Sequence, residues 1–120
     1  MDTEEIKKAL GAHGAWKNRL VAAIDSGSSE FNPTQVEPDN QCTFGKWLYA
    51  LPPADRKSEH YARVQTLHAA FHKEAAQVLR LALSGKKTEA TSSMTSGGRY
   101  MTTSADLILA LAAWQKALGG

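Results

Sequence analysis

The sequence has a single cysteine, Cys42, in 120 residues, and that scarcity excludes an internal disulfide. A small secreted scaffold held by several bridges is ruled out, and Cys42 is free, metal-bound, reactive or simply packed. A long apolar run is also missing. Nothing approaches the roughly 20 residues that span a membrane, and the acidic opening MDTEEIKK is unlike a secretory signal. Strong charge of one sign is lacking too. Lys and Arg number 14 against 12 Asp and Glu, for a formal net charge of +2, and the basic residues are scattered. Nucleic-acid binding needs a basic stripe, so no nucleic-acid partner is expected. The expectation is a cytoplasmic chain that engages neither nucleic acid nor membrane. At this length it reads as one domain, residues 1–120, long enough to bury a core.

The alternation of a half-buried strand is almost absent, and what is present is helical periodicity. From Glu4 to Ile24, Ile6, Leu10, Trp16, Leu20 and Ile24 form an amphipathic stripe with His13 inside it. SGSSEFNPTQVEPDNQ, residues 26 to 41, has two prolines, a glycine and many small polar residues, and reads as a long loop. CTFGKWLYAL predicts a helix of about two turns, stopped by Pro52-Pro53. Pro53 then suits the first position of a helix running to Leu83, with Ser84-Gly85 as its stop. In the last segment Leu107, Ile108, Leu111 and Trp114 recur at helical spacing, while Gly97-Gly98 in TSSMTSGGRY predicts a bend or break. Met94, Tyr100 and Met101 are expected to face the core around it. The fold class is all-α, an antiparallel four-helix-bundle-like domain with a short extra helix carrying Cys42.

Three histidines need an explanation. His68 and His72 in LHAAFHKEA lie four apart, so a helix points both rings the same way, where they can grip one metal ion. Such a pair alone is more often surface or packing chemistry. His13, however, occupies a core position in which an unpaired imidazole would lose hydration without return. Cys42 begins the short helix and can be steered toward the interior. Three nitrogens and one sulfur then make a full zinc shell. His60 lies eight residues before His68, roughly 12 Å along a helix axis, too far to share the ion. Ser104 and Asp106 read as capping residues near the start of the final helix, with Asp106 a weaker candidate to support a ligand histidine.

HGAW (13 to 16), CTFGKW (42 to 47) and HAAFH (68 to 72) resemble, in order and spacing, the chemoreceptor zinc-binding domain. The resemblance implies a helical bundle holding Zn²⁺ through His13, Cys42, His68 and His72, with no catalytic residues. A four-ligand shell leaves no open position, which argues against metal-assisted hydrolysis. Gly45 is expected to let the short helix approach a neighbour while Phe44, Trp47 and Trp16 pack around the site. The resemblance further implies a homodimer that regulates a chemoreceptor signalling domain or a diguanylate cyclase. It also makes the Cys42 thiolate the responsive group, to zinc availability or to oxidants such as hypochlorous acid. No such output domain fits within 120 residues, so an excised or stand-alone sensor is expected.

Overall fold

A computed structural model describes residues 3–95 and 97–119, and among them there is no strand. Among the described residues, six α-helices run in order as α1 (Glu4–Ser26), α2 (Pro33–Val36), α3 (Thr43–Tyr49), α4 (Glu59–Leu83), α5 (Lys87–Met94) and α6 (Arg99–Ala117). The all-α bundle expected from the periodicity is what forms. α4 is its central member and packs against α1, α2, α5 and α6.

The local chemistry accounts for most boundaries. Glu4 and Glu5 place negative charge in the first turn of α1, where it suits the helix dipole. Gly27 ends α1 at φ 72, a left-handed geometry that glycine adopts without strain, and its N–H returns to the Ala23 carbonyl at 2.8 Å. The expected long loop contains one further turn, α2, because Asn32 caps it through Thr34 N–H (2.9 Å) and Pro33 follows as its first residue. Val36 of that turn is buried in the core.

Three expectations are corrected. α4 begins at Glu59, not at Pro53. The chain instead makes a 3-10 turn at Asp55–Lys57, and Ser58, in extended backbone, caps α4 by accepting from Tyr61 N–H at 3.0 Å. A side-chain cap satisfies an otherwise unpaired N–H, which a proline start does not do. The last helix begins at Arg99, so Ser104 and Asp106 lie within its body and cap nothing. Ile108 faces solvent at 40% exposure, and Ala110 takes the inward place beside Leu107, Leu111 and Trp114.

The expected break is present. α5 ends at Met94, and the turn through Thr95 and Gly97 to Gly98 is so tight that a Cβ on Gly98 would come within 2.2 Å of the Ser92 carbonyl oxygen. Ser93 Oγ accepts from Tyr100 N–H (3.1 Å) across the turn. Met94 and Tyr100 are buried as expected, and Met101 is half-buried. Leu20, Val64, Leu79, Leu107, Leu111 and Trp114 are essentially inaccessible. Among the described residues, no helix is long and apolar enough to cross a membrane.

Candidate metal centre

One turn of α4 presents His68 and His72 on the same face, both buried. Cys42 is the residue before α3, with extended backbone (φ −81, ψ 161), so the loop delivers its side chain to that face. Its sulfur lies 3.4 Å from Nε2 of His68 and 3.4 Å from Nε2 of His72, and the two Nε2 atoms are 3.1 Å apart. Tetrahedral bonds of about 2.0–2.3 Å would place such donors about 3.3–3.6 Å from one another. The donor set and its spacing therefore fit zinc. Among the described residues this trio is the one group of histidine, cysteine or acidic side chains gathered closely enough to hold an ion.

The surroundings fix two of the three donors. His72 Nδ1 donates to the Val36 carbonyl at 2.7 Å, which leaves Nε2 with its lone pair toward Cys42 when the ring is neutral. α2, the turn missed in the sequence, supplies that carbonyl. Cys42 Sγ accepts from Gly45 N–H at 3.3 Å, an N-cap made by sulfur. Gly45 is needed there: a Cβ would sit 1.8 Å from the Asp39 carbonyl oxygen, so the close neighbour foreseen for it is the preceding loop. Tyr49 of α3 donates to Asp39 and accepts from Gln65 Nε2 (3.0 Å), tying loop and short helix to α4. His68 is flanked by Phe44, edge-on at 5.1 Å, but its buried Nδ1 has no hydrogen-bond partner.

His13 stands apart from the trio. It is buried and lines the same cavity, yet its Nε2 is 2.5 Å from Ser104 Oγ on α6, and its ring stacks on Phe71 at 4.3 Å. Ser104, read from the sequence as a cap, is thus a partner of a candidate ligand. The sequence carries no local signal for a pair 91 residues apart. Trp16 packs on Phe31 and Arg19, and it too lines the cavity. His60, in the first turn of α4, is outside the cluster.

Electrostatics favour the ionised form of the sulfur. Burial opposes charge on Cys42, but hydrogen bonds from His68, His72 and Gly45 N–H outweigh it and bring the thiol down to about 5. Burial also opposes charge on His72, but the Cys42 and Val36 partners prevail and raise it. Each partner thus favours the charged form of the other, the thiolate of Cys42 and the protonated ring of His72. Ion binding needs the thiolate and neutral rings, so it competes with protonation of His72. Affinity accordingly falls as pH drops through the raised His72 value, and falls more steeply near 5 as the thiolate is lost. In metal-free protein the rate of Cys42 alkylation by iodoacetamide is expected to hold from neutrality down to about pH 5 and then decline. A rate that falls steadily from pH 8 would mean an ordinary thiol. Burial, helped by repulsion from His68, lowers His13 to about 4, so that ring is neutral at physiological pH.

The chain matches the chemoreceptor zinc-binding domain model over residues 13–79, a span that begins at His13 and takes in Cys42, His68 and His72. More than half of the sequence is covered, and the chain belongs to that family, one of regulatory sensor domains rather than catalytic ones. No curated protein and no solved structure matches it.

Proposed function

We propose that this chain is a zinc-binding regulatory sensor in which His13, Cys42, His68 and His72 hold the ion and Cys42 is the responsive donor. The observation that carries the reading is the meeting of the only cysteine sulfur with two imidazole nitrogens at 3.4 Å, on elements that are otherwise separate in the chain. When bound, zinc supplies a cross-link between the loop-borne cysteine and α4 and keeps the thiolate deprotonated at neutral pH. Cys42 is half-buried, so an oxidant can reach it. Hypochlorous acid transfers its oxygen to the thiolate, giving sulfenic acid and chloride, and the product is a poorer zinc ligand. Loss of zinc, by scarcity or by oxidation, frees Cys42 and the loop before it, a local order–disorder change.

In this reading the sensor acts as a homodimer and controls a chemoreceptor signalling domain or a diguanylate cyclase, hence chemotaxis or cyclic-di-GMP signalling. A thiol that must start reduced suits a cytoplasmic setting. The family membership supports the regulatory role, and the depressed Cys42 pKa supports the redox branch.

The test is elemental analysis of the purified chain, with free thiols counted before and after one equivalent of hypochlorous acid. About one zinc per chain is expected, released in step with loss of the thiol. Zinc retained after thiol loss would make the ion purely structural, and no zinc would remove the metal reading.

A further inference from the structure

Resting on the metal-binding reading, the inference concerns the fourth coordination position. Cys42, His68 and His72 face a cavity of about 360 Å³ between α1, α3, α4 and α6. Its other walls are largely apolar, with Ala12, Phe44, Phe71, Leu107 and Leu111 among them. At the mouth Lys8 pairs with Glu5 at 3.3 Å, so the two charges offset one another. His13 is on the cavity wall but is engaged elsewhere, by Ser104 Oγ at 2.5 Å and by the face of Phe71.

We infer that Ser104 competes with the metal for the His13 imidazole and thereby makes the fourth position exchangeable, open to a small anionic donor from the cavity whenever His13 stays on Ser104. An ion held by one thiolate and two neutral imidazoles keeps one net positive charge in apolar surroundings. A fourth donor that is an anion neutralises it, whereas neutral His13 does not. The cavity is near the lower end of the sizes that hold small ligands, so the donor is small. Ser104 is half-buried in the body of α6, where its hydroxyl can turn back to the carbonyl one turn earlier once His13 leaves. Exchange of His13 between the two partners therefore strands no polar group.

The test is a double-mutant cycle on the full chain, with zinc affinity read by competition against a chromophoric chelator. Ser104→Ala is expected to tighten zinc binding roughly three- to tenfold, the effect of removing one competing hydrogen bond. On a His13→Ala background the same change is expected to have no effect, which a merely structural role for Ser104 would not produce. Thiocyanate added to the cobalt-loaded chain is expected to change its visible absorption, most in His13→Ala and least in Ser104→Ala. Weaker or unchanged zinc binding in Ser104→Ala, or absorption unmoved by thiocyanate in both wild type and His13→Ala, overturns the inference while leaving zinc binding itself intact. A wild-type chain that takes up no zinc overturns the metal reading and the inference with it.

Discussion

Replacing Cys42 by alanine is expected to weaken zinc binding by more than about 100-fold while most helix remains. Changes to residues that merely orient a ligand already cost about 10–100-fold, and Cys42 is the sole thiol. The helices survive because their stability rests elsewhere. Leu20, Val64, Leu79, Leu107, Leu111 and Trp114 are buried within α1, α4 and α6, whereas Cys42 is only half-buried and packs against the edge of that core. The loss is confined to α3, where the alanine also removes the cap on Gly45 N–H, worth about 0.5–2 kcal/mol in ordinary N-caps. Cys42→Ser separates the two effects, since its hydroxyl can still cap the helix but is a poor zinc ligand. Chelator competition and far-UV circular dichroism on both variants decide the matter. A chain that unfolds in both would show the metal to be the main support of the fold.

Gly45→Ala is the second change with a large expected effect. The added methyl would meet the Asp39 carbonyl oxygen at 1.8 Å, its carbon at 2.9 Å and Asn40 Cα at 3.2 Å. All three are backbone atoms, so no side chain can swing aside. Either the loop or α3 must move, at a cost of about 1–3 kcal/mol for overpacking. Both carry the site: the loop leads into Cys42, and Gly45 N–H bonds its sulfur. Zinc affinity is therefore expected to fall about 10–100-fold. Gly11→Ala is the matched control. It lies exposed in α1 with nothing within 4 Å of the added methyl, and it should raise helix stability by about 0.5–1 kcal/mol with zinc binding unchanged. Equal zinc affinity in Gly45→Ala and wild type would show that the loop is free to give way.

The parts of the site that were legible in the sequence are those that local spacing encodes. His68 and His72 share a face because a helix turns once in 3.6 residues, and the stripe from Tyr61 to Ala82 requires a helix there. Cys42 stood out by being alone and by preceding a short apolar segment. The features left unread depend on contacts made at a distance. The carbonyl that orients His72 belongs to Val36, and any residue could have supplied it, so no side-chain type announces it. The Ser104 bond to His13 joins α1 to α6 and follows from how those helices are packed. The start of α4 was misplaced because Pro53 satisfies a positional preference, whereas Ser58 makes a hydrogen bond.

Both imidazoles of the trio project from one uninterrupted helix of 25 residues, whereas the sulfur arrives at the end of a largely non-helical stretch. The helical half is pre-organised and loses little freedom when occupied, while the other half has chain entropy to surrender. Capture of an ion therefore begins on α4 and is completed by the loop, and escape runs in the reverse order. Mutations along the loop should consequently alter how long an ion stays more than how fast it arrives.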